Sequence, residues 1–147
     1  MKHFFLSISA LCLIHSLSFA QEGGASPGRG FTLKACPSSP NCVSTQAADP
    51  KQAIAPLVYP ESRAQALARL KRVLASMKRT TIITERDDYL HAEARSLIFR
   101  FVDDIEFYLP ENQKVIHVRS ASRVGYSDLG VNRKRVEEIR KRFNEMK

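Results

Sequence analysis

The sequence predicts an α+β domain in which two amphipathic helices flank a four-stranded, mainly antiparallel sheet. Three observations lead to this fold class. Apolar residues recur at three- and four-residue spacing after Pro60 and again near the C-terminus, which is typical of helices with one buried face. Between these segments lie four stretches rich in β-branched and aromatic residues. Short turns join the stretches, and strands joined in this way pair antiparallel.

The two helices are defined by their starts and by their apolar stripes. The first is predicted over residues 61–78, because Pro60 suits a helix start. The second is predicted to begin at Asn132, whose side chain is a good N-cap. The two apolar stripes consist of Leu67, Leu70, Leu74 and Met77, and of Val136, Ile139, Phe143 and Met146.

The strands between the helices are predicted over residues 80–85, 89–94, 97–109 and 114–121, and residues 97–109 form one long strand or a pair of strands. A turn that pairs Leu109 with Lys114 places Asp104 opposite Arg119. It also places Glu106 opposite His117 and Asp103 opposite Ser120. Alternation then sends an apolar set to one face, consisting of Phe99, Phe101, Ile105, Phe107, Ile116 and Val118. Asp103 falls among them, and a carboxylate there must be paired, hydrogen-bonded or neutralised.

The first twenty residues predict a secretory signal peptide, residues 1–20. Lys2 precedes an apolar run that ends at the small-x-small site Ser18-Phe19-Ala20. Cleavage near Ala20 places the protein in a periplasmic or extracellular compartment. We expect no transmembrane segment, because the run is shorter than the roughly 20 residues that span a bilayer. Residues 21–35 are predicted to be a flexible leader, and residues 36–147 a single α+β domain.

Two cysteines, Cys36 and Cys42, follow the predicted cleavage site. An even number in an oxidising compartment favours a disulfide between them. Five prolines prevent a long helix over residues 36–60, so this stretch is predicted to be a proline-rich arm stapled by the disulfide. A catalytic or redox thiol is the alternative, but the spacing is wider than Cys-x-x-Cys and no histidine is adjacent.

The chain is basic, with 23 Lys and Arg against 15 Asp and Glu and a formal net charge of +8. For an exported protein this charge favours an anionic small molecule, a lipid headgroup, a glycan or an acidic protein as partner, and not nucleic acid. The alternative is that the charge serves solubility alone.

The stretch 118–132 is the main candidate site, because it combines charged and polar side chains with two glycines before a helix. Arginines and a helix N-terminus both favour anions. We expect the ligand-binding residues to be Arg119, Ser120, Ser122, Arg123, Tyr126, Asp128 and Asn132, with Asp103 and Asp104 from the preceding strand. The alternative is that Arg119 belongs to a structural ion pair.

Known catalytic motifs are absent from the sequence, including His-Glu-x-x-His, Gly-x-Ser-x-Gly and a phosphate-binding glycine loop. We therefore expect no cofactor and no metal, and we assign no catalytic residue. A carboxylate and histidine cluster is the alternative, since His91 and Glu93 share a strand face, as do Asp104, Glu106 and His117.

Two motifs carry a family resemblance: CPSSPNCVS at residues 36–44 and RSASRVGYSDLGVNR at residues 119–133. Together with Asp103-Asp104 they resemble the domain-of-unknown-function family 1499 of bacteria and plastids, over about residues 36–143. The resemblance implies no activity, substrate or catalytic residue. It does imply that the disulfide arm and the arginine-serine loop belong to one architecture, and we expect the two to meet in space.

Three functions follow from these observations. The leading hypothesis is a non-enzymatic envelope or periplasmic module that binds an anionic ligand or partner through the loop and the basic second helix. The second is a small enzyme that uses Asp103 or Asp104 with Arg119 and a histidine, assisted by Ser122 or Tyr126. The third is a structural or scaffolding protein, in which the ion pairs only hold the sheet.

Overall fold

The computed structural model describes residues 32–146, which form two helices and one six-stranded sheet. The α+β class and the two helices are therefore confirmed. The strands are β1 (Cys42–Ser44), β2 (Leu57–Val58), β3 (Thr80–Glu85), β4 (Tyr89–Arg95), β5 (Val102–Tyr108) and β6 (Val115–Ser122). The helices are α1 (Arg63–Ser76) and α2 (Val131–Glu145). The predicted signal peptide and most of the predicted leader lie outside the described residues.

The sheet has the order β1-β6-β5-β4-β3, and β2 also pairs with β6. All of these strand pairs are antiparallel. The sheet has six strands where the sequence predicts four, because the proline-rich stretch supplies β1 and β2. Strands of two or three residues are too short to show an alternating pattern. The predicted disulfide between Cys36 and Cys42 is present, and it closes the loop that leads into β1.

One face of the sheet and both helices share a single hydrophobic core. The strands contribute alternate residues to it, as the pleat requires. Leu90 and Ala92 come from β4, Ile105 and Phe107 from β5, and Val118 from β6. The helices contribute fully buried side chains, among them Leu70, Val73, Leu74, Val136, Ile139 and Phe143. Polar side chains at the intervening strand positions consequently lie on the opposite face.

The third predicted strand, residues 97–109, is too long. The strand β5 begins only at Val102, and Phe99 and Phe101 are exposed in the preceding loop instead of lying on the core face. The expected apolar face is correct for Ile105 and Phe107, which are fully buried. Ser96 ends the pairing early, because its backbone and its hydroxyl both bond to Phe101 and close a tight loop.

The predicted register between β5 and β6 is wrong by two residues. Asp104 lies opposite Ala121 and Glu106 lies opposite Arg119. The expected pairing of Leu109 with Lys114 does not form, because Leu109 is fully buried and its N–H bonds to Asp88. A shift of two residues preserves the alternation, so each side chain stays on its expected face.

The helix starts also differ from expectation. A capping box between Ser62 and Gln65 begins α1, two residues after the predicted start. Gly130, with φ of 77°, is the N-cap of α2, and Asn132 lies within the helix and is fully buried. The Asn132 side chain forms tertiary hydrogen bonds instead of capping the helix.

Neither helix of the described residues is long and apolar enough to cross a membrane.

Candidate functional site

A row of charged side chains covers the face of the sheet opposite the helices. His91 and Glu93 come from β4, Asp104 and Glu106 from β5, and Arg119 from β6. Their positions alternate with the core residues, so the strand pleat directs them away from the helices. All five are partly or fully buried. Interactions between their charges are therefore screened less than at an open surface.

Arg119 and Glu106 form the first ion pair of this row. The Arg119 Nη1 donates to Glu106 Oε2 at 2.7 Å, and the Tyr89 hydroxyl donates to Oε1 at 3.0 Å. Burial, reinforced by the Glu106 carboxylate, raises the pKa of Tyr89, so its hydroxyl stays a donor. The Arg119 Nε is buried and finds no acceptor among the described residues. The guanidinium thus has more donors than this one carboxylate accepts.

Arg123, just after β6, joins the remaining two carboxylates. It donates to both oxygens of Asp104, at 2.9 and 2.7 Å, and to Glu93 at 2.6 Å. His91 Nε2 lies 2.8 Å from Asp104 Oδ1. The bonds from Arg123, assisted by His91 and opposed by burial, lower the pKa of Asp104. The same bonds to Asp104 and Glu93 raise the pKa of Arg123. Asp104 is therefore a carboxylate at neutral pH.

A groove of about 670 Å³ lies over this row of charges. The segment 34–37, which contains Cys36 of the disulfide, forms one wall, and the sheet forms the other. The groove lining includes three permanently cationic residues and two carboxylates. These are Lys34, Arg119 and Arg123 against Asp104 and Glu106. The lining has one more cation than carboxylates, and both arginines are already paired, Arg123 with Glu93 as well as with Asp104.

A second polar cluster is buried between the sheet and α2. Arg135 Nη2 donates to Asp103 Oδ2 at 2.5 Å, and its Nη1 donates to Ser120 Oγ and Asn132 Oδ1. The Ser120 hydroxyl also donates to Asn132 Oδ1, at 2.6 Å. Asp103 is only 7 % exposed, and the ion pair with Arg135 compensates for the burial of its carboxylate on the apolar face of the sheet. The cluster holds α2 against β5 and β6.

The same cluster connects the disulfide segment to the loop before α2. Asn132 Nδ2 donates to the Asn41 carbonyl at 3.1 Å and to Asp128 Oδ2 at 2.8 Å. Asn41 Nδ2 in turn donates to the Gly125 carbonyl at 2.6 Å. Burial opposes the ionisation of Asp128, but bonds from the Asn132 and Gly130 N–H groups outweigh it and lower the pKa. The two sequence motifs therefore meet in space, as expected.

Comparison with known families is consistent with this architecture. The family model described as "Protein of unknown function (DUF1499)" matches residues 32–143, most of the chain. The chain belongs to the DUF1499 family. No curated protein and no solved structure matches it. In this DUF1499 protein the match spans the disulfide segment, the whole sheet and nearly all of α2.

The structure divides the predicted site residues of this DUF1499 protein among three places. Arg119, Arg123 and Asp104 line the groove, and Ser122 also contributes to its lining. Asp103, Ser120, Asp128 and Asn132 belong to the buried cluster, where their polar atoms bond to one another or to Arg135. Tyr126 is 76 % exposed and lines a separate hollow of about 410 Å³ beside Asp128 and Arg133. The nine predicted residues thus do not form one site.

Sequence reasoning missed several members of the groove. The sequence indicates Glu106 and His91 only as parts of a carboxylate and histidine cluster, and their alternation with core residues correctly predicts that they lie on the polar face. Lys34 carries no signal in sequence, because it lies in an irregular segment. His117, placed in the same cluster by sequence, instead lies 3.2 Å from the Thr45 hydroxyl. Among residues 32–146 no group of His, Cys, Asp and Glu side chains is arranged to hold a metal ion.

Proposed function

We propose that this DUF1499 protein is an exported, non-enzymatic module that binds a small anion in the groove over Arg119 and Arg123. The observation that carries the proposal is the positive lining of that groove, in which Lys34 and the two arginines face two carboxylates. A volume of about 670 Å³ lies within the range of small-molecule sites. A ligand with a carboxylate or phosphate group matches the fork of a guanidinium.

The internal carboxylates occupy the positions that such a ligand uses. Glu106 accepts one bond from Arg119, and Asp104 accepts two from Arg123. An incoming anion recruits the donors of Arg119 that Glu106 leaves unmatched, and it shares Arg123 with Asp104. The anion therefore competes with a carboxylate of the protein, which predicts that weakening the internal acceptor strengthens ligand binding.

Export is supported by two independent features of the chain. Residues 1–20 have the composition of a secretory signal peptide. The Cys36–Cys42 disulfide persists in oxidising compartments and is rare in reducing ones. Cleavage after Ala20 removes Lys2 and leaves 22 Lys and Arg against 15 Asp and Glu, and the resulting charge of +7 favours the approach of anionic ligands in a periplasmic or extracellular setting.

The test is a thermal-shift titration with inorganic phosphate and, separately, with succinate. We expect saturable stabilisation, since a ligand at a hundred times its dissociation constant adds about 2.7 kcal/mol to the free energy of unfolding. Arg123→Ala should abolish the shift. Arg72→Ala is the matched control, because it removes the same charge from an exposed position on α1. If both variants lose the thermal shift to the same extent, only the overall charge of the protein matters for binding.

An acid–base enzyme is the second candidate, and one observation favours it. His91 Nε2 lies 2.8 Å from Asp104 in the groove, so an ionised carboxylate orients an imidazole there. Asp103 does not take part, because it is buried on the other face with Arg135. In an assay with p-nitrophenyl phosphate and p-nitrophenyl acetate, turnover that disappears in His91→Gln would favour the enzyme. The binding proposal predicts no turnover.

A further inference from the structure

The loop between β4 and β5 exposes an unusual concentration of apolar side chains. We name residues 96–101 the hairpin tip. Ile98 is 78 % exposed, Phe99 is 74 % exposed, and Leu97 and Phe101 are also exposed. Single exposed apolar residues are common, but four within one six-residue loop form a patch that indicates an interaction surface.

The hairpin tip is a closed and ordered loop rather than a loose connection. The Ser96 N–H donates to the Phe101 carbonyl, and the Phe101 N–H donates to the Ser96 hydroxyl, each at 2.9 Å. The rings of Phe99 and Phe101 stack with their centroids 5.5 Å apart. The backbone bonds are therefore satisfied locally while the apolar side chains project into solvent, away from the shared core.

Basic residues surround the hairpin tip. Arg100 lies within it and Arg95 at its base, and both are exposed. Lys78 and Arg79 lie beside the base, where the Arg95 N–H bonds to the Arg79 carbonyl. The segment 95–101 contains two arginines and no acidic residue. The nearest carboxylates on the strands are paired, Glu93 with Arg95 and Asp103 with Arg135, so among the described residues Arg100 carries the unpaired charge of the tip. The surface around the apolar tip is therefore cationic.

We propose that the hairpin tip docks this protein on an anionic lipid bilayer. Its apolar side chains enter the boundary between headgroups and acyl chains, and Arg100 contacts the phosphates. Apolar insertion and attraction to anionic lipids together define interfacial binding. A six-residue projection suits a bilayer better than a folded protein, because a stable protein interface uses roughly 20–30 residues a side.

The first test is co-sedimentation of the chain from Gln21 onward, which retains the compact unit beginning at Thr32. Vesicles of phosphatidylcholine are compared with vesicles that also contain phosphatidylglycerol. We expect binding to the anionic vesicles, and a loss of about tenfold or more in Ile98→Ser/Phe99→Ser. The control Val58→Ser/Ile83→Ser changes two exposed apolar residues away from the tip and should lose less than about twofold. Equal losses in the two variants would overturn the proposal.

A fluorescence experiment reports insertion directly, because the chain contains no tryptophan. The emission of Phe99→Trp should shift to the blue on anionic vesicles and be quenched by brominated lipid, whereas Val58→Trp should respond to neither. Unchanged Phe99→Trp emission on these vesicles would overturn the proposal. So would a concentration-dependent blue shift without vesicles, since that result assigns the tip to contact between two copies of the chain.

Discussion

Arg119 on β6 donates a hydrogen bond of 2.7 Å to Glu106, the residue directly opposite it on β5. Both side chains are largely buried, with 9 % and 18 % of their surfaces exposed. Their pairing fixes the position of a guanidinium at the floor of the groove. Stability and ligand binding thus depend on the same pair of residues, and separate variants can distinguish the two roles.

Arg119→Ala should lower the free energy of unfolding by about 2–3 kcal/mol, because Glu106 then loses its buried cationic partner. Urea denaturation measures this change. The double variant Arg119→Ala/Glu106→Gln should lose less free energy of unfolding than the sum of the losses in the two single variants. Additive effects in this cycle would contradict a direct energetic coupling between the two residues.

Asn132→Ala should be among the most destabilising polar substitutions, at about 2–3 kcal/mol, because it leaves several buried partners unsatisfied. These partners include Ser120 and the Asn41 carbonyl. Asn144→Ala is the control, since Asn144 is exposed on the same helix. Its effect should stay within about 0.5 kcal/mol. Equal effects in denaturation experiments would show that the buried cluster does not connect the two motifs energetically.

Arg119 and Asn132 also illustrate what could be predicted from sequence. Alternation along the strands correctly placed Arg119, Asp104 and Glu106 on the polar face and Asp103 on the apolar face. The partners could not be predicted, because a register shift of two residues changes every pair and preserves every face. Asn132 has the residue type of an N-cap, and only the fold shows that its side chain is needed by distant partners.

The short strands β1 and β2 mark another limit of the sequence. These strands of two or three residues form because β6 offers free backbone groups on the side away from β5. Their formation therefore depends on the tertiary structure and not on the local sequence. The sequence predicts a strand at the hairpin tip for a related reason. Its residues, Leu97 to Phe101, have high β-propensity, yet propensity does not distinguish a buried strand from an exposed apolar loop.

His117 should make stability depend on pH near neutrality. Burial lowers its pKa below the ordinary 6.5. As the pH falls from 6.5 toward the lower folded value, the unfolded chain binds a proton that the folded protein does not, so stability decreases. His117→Gln should flatten the plot of unfolding free energy against pH in this window. An unchanged slope would show that His117 titrates alike in the two states.

Loss of the disulfide should reduce stability moderately. On the chain-entropy model a loop this short contributes about 2 kcal/mol, and we expect a loss of that size in Cys36→Ser/Cys42→Ser. The melting temperature of this variant is compared with that of the oxidised wild type, and the reduced wild type is the control. The variant and the reduced wild type should have the same melting temperature. A variant that melts like the oxidised protein would contradict this prediction.

Replacing the internal competitor should strengthen anion binding. Glu106→Gln removes the charge that accepts from Arg119 Nη1, so phosphate should bind more tightly, by about threefold to tenfold. Isothermal titration calorimetry measures the change. Glu111→Gln is the control, because Glu111 is exposed in the turn after β5 and should leave the affinity within about twofold. Weaker binding in Glu106→Gln would mean that Glu106 itself holds the ligand site together.

The most direct measurement of the central claim is a phosphate titration followed by the ¹H–¹⁵N signals of the arginine Nε groups. Binding in the groove predicts saturable shifts of the Arg119 and Arg123 signals with one common dissociation constant. It also predicts that the Arg135 signal, from the buried cluster, stays in place. Shifts confined to exposed arginines elsewhere, or equal small shifts of every arginine, would contradict an anion site in the groove.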